Sequence, residues 1–328
     1  MIEFIDVNYR VGEYAILTEI NLKIYRGECI LLVGESGSGK TTLTKLVNGL
    51  IPHFYSSGQL DGEVNVNGEM VAETSMYKLA EMIGSVFQNP KSQFFYTDSS
   101  AEIAFGLENR GVPLEKIRQR IEATANELGI KNLLGRNIFK LSGGEKQIIA
   151  FASAYAEEPE IYVLDEPYSN LDNISAGRLK ELLLYIKAQG KTVIIAEHRL
   201  NYLSSVIDRA VYLKGGRIMQ EFTAAQFRAL TERERISMGL CTIKETQITI
   251  PECTVLKGEL CIERIISRYK EEEISFGANS GDVIGIVGKN GAGKTTLCKI
   301  ICGLLKEQSG TVSYQGKKLT RRQRQRLC

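Results

Sequence analysis

Two glycine-rich segments with the same pattern hold the residues best suited to chemistry in this chain. Residues 34–41 read GESGSGKT and residues 288–295 read GKNGAGKT, so both fit G-x-x-x-x-G-K-[ST]. Glycines let backbone N–H groups close around phosphate oxygens, because no Cβ atom stands in the way. The lysine can reach the outer phosphates of a nucleotide, and the threonine after it can bind Mg²⁺. The pattern therefore predicts two phosphate-binding loops.

The predicted nucleotide contacts follow the motif position by position. In the first loop they are Gly34, Ser36, Gly37, Gly39, Lys40, Thr41 and Thr42. In the second loop they are Gly288, Asn290, Gly291, Gly293, Lys294, Thr295 and Thr296. Thr41 and Thr295 are also predicted to bind magnesium. An ordinary glycine-rich turn is the alternative for one such loop, but two copies in the same context favour phosphate binding.

Each loop is predicted to join a strand to a helix. The apolar runs Cys29–Val33 and Val283–Val287 precede the loops, and helix-like stretches at 41–48 and 295–301 follow them. Strand, loop and helix in that order is the context that the motif requires. The helix N-terminus adds the positive end of its dipole to the phosphate site.

The two loops belong to a longer internal repeat. Residues 27–49 align without gaps to residues 281–303. After a gap, the segment 61–68 (DGEVNVNG) resembles the segment 309–316 (SGTVSYQG). A repeat of this length indicates that one structural unit occurs twice in the chain.

The repeat sets the expected domain boundaries. We expect a complete domain at residues 1–222, a linker at 223–253 and a repeated domain at 254–328. In the first domain, the short apolar runs Ile161–Leu164 and Val193–Ala196 suit buried parallel strands. Strands that alternate with helical stretches indicate an α/β fold with a parallel sheet.

Two further groups of polar residues adjoin apolar elements. Asp165 and Glu166 end an apolar strand, where they can hold Mg²⁺ and orient a water molecule beside a bound phosphate. Two solvated acids at a strand end are the alternative. Ser142, two glycines and Glu145 precede an apolar helix, which predicts a capped helix start that also binds an anion.

The composition fits a soluble globular protein without a membrane span. The 328 residues are 43% hydrophobic and 24% charged, with a net charge of +2. No apolar run is long enough to cross a bilayer, and the first residues lack the features of an export signal. The seven cysteines are scattered and are expected to be free thiols in a reducing compartment.

Several further motifs resemble those of the ATP-binding cassette family. The segment 141–147, LSGGEKQ, resembles the family's signature motif, and the acid pair after the apolar strand resembles its Walker B pair. Residues 169–172, SNLD, resemble its D-loop. Gln88 resembles the Q-loop glutamine, and His198 resembles the switch histidine. The resemblance covers the whole of the first domain.

The resemblance implies a fold, two cofactors and a set of roles. The fold is a P-loop NTPase core, a parallel sheet flanked by helices, with an antiparallel β subdomain and a helical subdomain. The cofactors are ATP and Mg²⁺. Glu166 would act as the general base or position the attacking water, with Gln88 and His198 near the γ-phosphate. Asp165 and Gln88 would join Thr41 at the metal.

The adenine contact is also implied by the resemblance. Tyr9 and Tyr269 resemble the aromatic residue that stacks on the base. A strand tyrosine packed in the core is the alternative for Tyr9.

The repeated domain resembles only the first part of a cassette. Up to Cys328 the sequence contains no second signature, Walker B pair or switch histidine. In this family ATP lies between the phosphate loop of one cassette and the signature of the other, so Ser142 and Gly144 would act on a partner's nucleotide. We therefore expect the second cassette to be truncated, as in a fragment or a split gene, and a second complete cassette to be a partner.

A narrower resemblance concerns the type of transporter. Residues 88–95 (QNPKSQFF) and 101–109 (AEIAFGLEN) are similar to those of the ATPases of energy-coupling factor importers. That group takes up vitamins or transition-metal ions. It implies integral-membrane partners, one coupling subunit and one substrate-binding subunit, and a peripheral location on the cytoplasmic face of the membrane. In that family the Gln-x-Phe segment receives the coupling helix, although core aromatics are the alternative for the two phenylalanines.

A soluble tandem cassette protein that acts on ribosomes or nucleic acid is the alternative. Such proteins carry a long, highly charged helical linker, whereas residues 223–253 are short and mixed in composition. The basic run at 317–326 is expected to be a solvated helix rather than a nucleic-acid contact. We therefore expect no nucleic-acid partner.

Overall fold

The computed structural model describes residues 1–169, 171–243, 258–267, 270–288 and 292–327. The chain divides into two compact units, Met1–Glu245 and Thr246–Cys328, and each unit is described by itself. Among the residues that the structure describes, none of the helices combines the length and the apolar character needed to cross a membrane.

The first unit contains strands β1 to β10 and helices α1 to α9. The strands are β1 (Ile2–Val11), β2 (Tyr14–Ile24), β3 (Cys29–Val33), β4 (Gly58–Val66), β5 (Glu69–Met70), β6 (Ile83–Val86), β7 (Ile161–Asp165), β8 (Thr192–Ala196), β9 (Arg209–Lys214) and β10 (Arg217–Thr223). The helices are α1 (Lys40–Val47), α2 (Leu50–His53), α3 (Met76–Met82), α4 (Ser99–Asn109), α5 (Leu114–Glu127), α6 (Gly143–Ala156), α7 (Asn173–Ala188), α8 (Ala224–Ala229) and α9 (Glu232–Ser237).

A mostly parallel sheet forms the centre of the first unit, as the sequence predicts. Its strand order is β10-β9-β3-β8-β7-β6. The strand β3 pairs in parallel with β8 and β9, β7 pairs in parallel with β6 and β8, and only β10 runs antiparallel. Every residue of β3, β7 and β8 is buried, because both faces of the sheet are covered.

The two faces of this sheet belong to different cores. Leu31 and Val33 of β3 pack with residues of the helices α4 to α7. Ile30 and Leu32 pack with residues of α1 and of the strands β1, β2 and β4. This alternation follows from the two-residue period of a strand. The predicted helical and antiparallel β layers therefore cover opposite faces of the predicted parallel sheet.

The second unit repeats the antiparallel layer of the first. Its elements are β11 (Leu260–Ser267), β12 (Lys270–Ala278), α10 (Lys294–Ile301), β13 (Ser309–Tyr314), β14 (Lys317–Lys318) and α11 (Arg321–Leu327). The strand orders match, β2-β1-β4-β5 in the first unit and β12-β11-β13-β14 in the second. The internal repeat predicted from the sequence is thus present in the structure.

A shared backbone irregularity strengthens this match. Asp6 and Arg264 both have positive φ, 48° and 47°, and a glycine faces each of them. A Cβ atom on Gly62 would lie 2.5 Å from the carbonyl oxygen of Asp6, and one on Gly310 would lie 2.3 Å from that of Arg264. Only glycine fits such a close approach of two backbones.

The first unit extends beyond the boundary expected at Phe222. The helices α8 and α9 lie within the stretch expected as a linker. Phe227 of α8 and Leu240 after α9 are buried in the same core as Phe222. This apolar packing makes residues 224–240 part of the first unit.

One predicted strand is absent, and this corrects the sequence analysis. Residues 283–287 do not form a strand, and Val283 and Val287 are 99% and 79% exposed. In the first unit the equivalent β3 is held by β8 and β9. Within the described residues of the second unit, no strand pairs in parallel with 283–287, and an unpaired apolar run does not keep a strand conformation on its own.

We predict that the two equivalent apolar runs differ in hydrogen exchange. Amides of Cys29–Val33 take part in a buried ladder, so they should exchange only on extensive opening of the unit. Amides of 283–287 should exchange much faster, because no ladder formed by the described part of the chain protects them. Exchange measured by mass spectrometry on the whole chain gives the comparison. Equal protection of both runs would contradict this description of the second unit.

Candidate functional site

The first phosphate loop joins β3 to α1 and is shaped by its glycines. Gly34, Gly37 and Gly39 have φ values of 152°, 80° and 102°. A Cβ atom on Gly34 would lie 2.2 Å from the carbonyl oxygen of Leu213, and one on Gly39 would lie 2.6 Å from Leu17 Cδ2. The loop is therefore clamped between β9 and β2 in a form that only glycine permits.

Lys40 folds back over this loop. Its side chain is only 5% exposed, and Nζ donates to the carbonyl oxygens of Gly34 and Glu35, both at 2.8 Å. Burial lowers the pKa of Lys40, while the charges of Glu166 and Asp165 oppose that effect. A phosphate group would give this buried ammonium a strong anionic partner.

The N-terminus of α1 adds hydrogen-bond donors at the first phosphate loop. The N-cap residue is Gly39, and no side chain caps the helix there. The first N–H groups of a helix have no partner within the helix, and they lie at the positive end of its dipole. A phosphate at this loop would satisfy them. Ser36 and Gly37 are exposed at the tip of the loop, and Thr41 and Thr42 are half-buried where the helix begins.

Thr41 and Asp165 bring two oxygen ligands together. Thr41 Oγ1 donates to Asp165 Oδ1 at 3.0 Å, which joins the start of α1 to the end of β7. Burial raises the pKa of Asp165 and the charge of Glu166 adds to this, whereas the Thr41 hydrogen bond and nearby lysines lower it. A cation would offset the burial of this carboxylate.

These residues fit Mg²⁺ as a bound ion. Hydroxyl and carboxylate oxygens are the ligands that Mg²⁺ prefers, and it is usually held by one or two protein groups together with phosphates and water. Among the described residues, no cluster of three His, Cys, Asp or Glu side chains could hold a metal without such help. Thr41 and Asp165 therefore match a metal that arrives with a nucleotide.

Glu166 contacts the other two predicted catalytic residues, Gln88 and His198. Gln88 Nε2 donates to Glu166 Oε2 at 2.7 Å, and His198 Nε2 lies 3.4 Å from Glu166 Oε1. The backbone of Glu166 has φ of 45°, and its N–H donates to the carbonyl oxygen of Ala196 on β8 at 2.7 Å. A non-glycine residue in this conformation carries local strain, which is often found at functional sites.

The surroundings of His198 lower its pKa and so favour the neutral imidazole. Burial lowers the pKa of His198, and the positive charge of Lys40 lowers it further, while Glu166 opposes both. A neutral imidazole can donate with one ring nitrogen and accept with the other. It can therefore orient a neighbouring group in the site without adding charge.

The structure adds two residues that the sequence analysis did not single out. Glu197 is buried, and its carboxylate accepts the backbone N–H groups of Tyr168, His198 and Arg199 at 2.7–3.0 Å. Arg199 Nη1 donates to the carbonyl oxygens of Tyr168 and Leu171, both at 3.0 Å. Together they fix the turn after Glu166 and the backbone of His198. In the sequence, an acidic residue directly after a predicted buried strand is the feature that could have pointed to Glu197.

Burial raises the pKa of Glu197, and the three backbone hydrogen bonds act against that shift. Because its oxygens accept three backbone N–H groups, the Glu197 carboxylate supports the frame of the site.

The signature-like segment starts α6 as predicted. Ser142 accepts from the N–H of Glu145 at 3.3 Å, and the Glu145 carboxylate accepts from the N–H of Ser142 at 2.8 Å. This is the predicted capping box. A Cβ atom on Gly144 would lie 2.6 Å from Ser175 Oγ, so α6 approaches α7 closely at this glycine.

Tyr9 does not join the group around Lys40. It is only 4% exposed and belongs to the core of the antiparallel layer. A Cβ atom on Gly58 would lie 2.3 Å from its hydroxyl oxygen, so β4 covers one side of the ring. With the ring packed in this way, Tyr9 is a core residue and offers no open face to an adenine base. Tyr269 lies outside the described residues.

The second loop repeats the backbone of the first where it is described. Gly288 and Gly293 have φ values of 153° and 92°, close to those of Gly34 and Gly39. Lys294 Nζ donates to the carbonyl oxygen of Gly288 at 2.6 Å, as Lys40 does in the first loop. The other predicted contacts of this loop are Thr295, which is exposed, Thr296, which is half-buried, and Asn290 and Gly291, which lie outside the described residues.

Sequence comparisons find ATP-binding subunits of transporters. The family model described as "ABC transporter" matches residues 17–169 and 272–327. A putative ABC transporter ATP-binding protein of Treponema denticola is 45% identical over 320 residues, which cover 94% of this chain and 65% of that protein. A protein of the same description from Clostridium perfringens is 32% identical, with 97% of this chain and 64% of that protein covered. The chain thus spans about two thirds of the length of these relatives.

Structural comparisons find a component of an ABC transporter complex and an ATP-binding cassette. The structure of cbiO1 from Clostridium perfringens, described as part of the ABC transporter complex cbiONQ, matches with a TM-score of 0.63 and 29% identity. The match covers 72% of this chain and 92% of cbiO1. The cassette MJ0796, described in a dimeric post-hydrolysis state with ADP and Pi, matches with a TM-score of 0.60 and 25% identity, covering 68% of this chain and 99% of that one.

We predict that Lys40→Ala weakens ATP binding at the first loop more than tenfold. The variant loses a charge-assisted contact with phosphate, which contributes about 1.5–3 kcal/mol. Equilibrium titration in a Lys294→Ala background isolates the first loop. Lys78→Ala is the matched control, because Lys78 is exposed on α3 and has Glu69 as its ion-pair partner at 2.8 Å. An affinity that Lys40→Ala leaves unchanged would overturn the assignment of the loop.

Proposed function

The chain belongs to the ABC transporter family of ATPases, and from that premise we propose that it is the ATP-hydrolysing subunit of a membrane importer. The observation that carries the proposal is the contact of Glu166 with Gln88 and His198, beside the Thr41–Asp165 pair. A carboxylate, two orienting groups and two metal ligands lie together at a phosphate loop. This arrangement suits attack of water on a phosphoryl group.

The reaction is hydrolysis of the terminal phosphate of ATP. The water oxygen forms a bond to the γ-phosphorus, the bond to the bridging oxygen breaks, and ADP and phosphate are the products. Glu166 accepts the proton of the water or orients it, and Gln88 and His198 hold the Glu166 carboxylate in place. Lys40 and the loop N–H groups stabilise the charge on the phosphates. Bound Mg²⁺ would neutralise phosphate charge at Thr41 and Asp165.

A partner cassette completes the site in this proposal. The start of α6, with Ser142 and Gly144, acts as an anion-binding helix end toward a nucleotide held by another phosphate loop. MJ0796 is described as a dimer, which supports a second complete cassette as a partner.

An exposed aromatic cluster supports a membrane subunit as the second partner. Phe95 is 74% exposed, and its ring stacks on Phe105 with 4.3 Å between centroids. Tyr96 is also exposed and meets Phe105 edge to face. The buried carboxylate of Glu102 accepts the N–H groups of Phe95 and Tyr96 at 2.9 and 2.8 Å. These contacts fix an apolar surface that a helix of another protein can cover.

In the sequence, the aromatic cluster follows shortly after the site residue Gln88. Gln88 begins the segment, and Gln93 accepts from the N–H of Phe87 and donates to the carbonyl oxygen of Ser85. A movement of the aromatic cluster can therefore be transmitted to the hydrogen bond between Gln88 and Glu166 through the short segment that joins them. We place the subunit on the cytoplasmic face of the membrane, bound to a coupling subunit and a substrate-binding subunit. The resemblance of residues 88–95 and 101–109 to the ATPases of energy-coupling factor importers supports a vitamin or a metal ion as the cargo.

We predict that the protein co-purifies with integral-membrane subunits from detergent extracts of its own cells. Phe95→Ala should reduce this recovery, since it removes the exposed ring that a coupling helix would cover. Tyr25→Ala is the matched control, because Tyr25 is a similarly exposed aromatic in the turn between β2 and β3. Recovery with ribosomes, and no membrane subunit in the extract, would contradict the importer and favour a soluble tandem ATPase.

A further inference from the structure

A buried lysine lies in the first turn of α6, the helix that begins with the signature-like segment. Lys146 is only 8% exposed, and its side chain runs back toward the residues before the helix. Its Nζ donates to the carbonyl oxygen of Leu141 at 2.7 Å and to that of Phe139 at 3.3 Å. Within the described part of the chain, Lys146 forms no ion pair with a carboxylate. Carbonyl oxygens therefore take the place that an acidic side chain usually has beside a buried cation.

The position of this charge is unfavourable for the stability of the helix. The N-terminus of a helix is the positive end of its dipole, so a cation in the first turn is repelled. Burial lowers the pKa of Lys146, and the nearby charge of Lys91 lowers it further, while the charge of Glu145 opposes both. A buried cation that is kept in such a place points to a role other than stability.

The two hydrogen bonds of Lys146 fix the backbone that leads into α6. Residues Ile138–Lys140 form a short 3₁₀ helix, and Leu141 joins it to the N-cap residue Ser142. Leu141 itself is buried. Because Lys146 contacts backbone carbonyl oxygens, this turn cannot shift without loss of those hydrogen bonds. Lys146 thus acts on the conformation in which the start of α6 is presented.

The ammonium of Lys146 also lies close to the N-terminal N–H groups of α6. The carbonyl carbon of Leu141 is bonded to the nitrogen of Ser142, so Nζ lies no more than about 5 Å from that nitrogen. An anion bound by the first N–H groups of the helix would therefore be attracted by a full positive charge in addition to the helix dipole. Burial leaves that charge poorly screened by water.

We propose that Lys146 is a positioning residue for the anion site at the start of α6, where its ammonium holds the turn before Ser142 and adds a fixed positive charge. The inference rests on the proposed function, in which this helix start binds the phosphates of a nucleotide held by a partner cassette. The attraction grows with the negative charge of the ligand, so Lys146 favours ATP over ADP.

The test measures the affinity for ATP and for ADP at the phosphate loop of the partner cassette, in a complex with the whole chain carrying Lys40→Ala and Lys294→Ala. Lys146→Met keeps the apolar part of the side chain and removes the ammonium, so the ATP affinity should fall about tenfold and the ADP affinity less. Lys140→Met is the matched control, since Lys140 is exposed and lies in the turn that Lys146 holds. Equal effects of Lys146→Met and Lys140→Met on the ATP affinity would overturn the proposal.

A conservative variant and a pH profile separate this role from a purely structural one. Lys146→Arg retains the charge and the donors, so its ATP affinity should stay within about twofold of the unsubstituted value. As the pH rises through the pKa of Lys146, which burial lowers, the lysine loses its charge and the ATP affinity should fall. Arginine stays charged at those pH values, so Lys146→Arg should not show that loss. Identical pH profiles with lysine and with arginine would contradict the assignment of the charge.

A variant of the N-cap residue distinguishes failure of this inference from failure of the proposed function. Ser142→Ala removes the hydroxyl at the same helix start and should also weaken ATP binding at the loop of the partner cassette. If Ser142→Ala weakens binding and Lys146→Met does not, the inference about Lys146 is wrong and the proposed function stands. If neither variant has an effect, the start of α6 does not bind that nucleotide and both fail. Hydrogen exchange of the α6 amides shows whether the helix is intact, and the pH comparison decides the question if Lys146→Met unfolds it.

Discussion

The buried ammonium of Lys40 is the interaction on which the rest of the first site depends. It lies almost out of solvent and is held by carbonyl oxygens of its own loop. A charge in such a place attracts a phosphate more strongly than it would in water, because the surroundings screen it less. The loop can hold it there only because Gly34 is pressed against Leu213 with a backbone that other residues rarely adopt.

The strand order then decides which residues meet that ammonium. The strand β3 pairs with β8, and β8 pairs with β7, so the carboxyl ends of these three strands lie side by side. Ligands of parallel α/β sheets bind at that edge. Asp165 ends β7, Glu166 follows it, and His198 follows β8, which is why residues far apart in sequence converge on one loop. Burial of Asp165 and Glu197 costs stability, which is the usual consequence of a preformed site.

Local motifs explain how much of this could be predicted. The capping box at Ser142 and the apolar strands of the first unit depend on neighbouring residues, and the structure confirms them. The strand, loop and helix predicted around the first glycine-rich segment are also present, while phosphate binding by the two loops stays a prediction. Residues 29–33 and 283–287 have the same apolar pattern, yet only the first run is a strand, because a strand also needs partners from elsewhere in the chain.

The other differences between the predicted and the observed structure also depend on contacts between parts of the chain that are distant in sequence. Whether Tyr9 faces a base or the core depends on how β4 packs against it, and spacing along β1 does not encode that. The stretch that contains α8 and α9 is predicted to be a linker because it is charged and mixed in composition, yet Phe227, Arg235 and Leu240 are buried in the first unit. The acid after β8 is visible in the sequence, but the backbone N–H groups that bind the Glu197 carboxylate are brought together by the fold and cannot be read from residue types.

The central claim is that Glu166 acts on the water that attacks ATP, and one measurement tests it most directly. ATP binding and turnover are compared for the wild-type chain and Glu166→Gln, with Mg²⁺ and a complete partner cassette present. The variant keeps the shape of the side chain but lacks the carboxylate, so binding should be retained while turnover falls by about 10²–10⁴-fold. Hydrolysis by the variant at the wild-type rate would contradict the account.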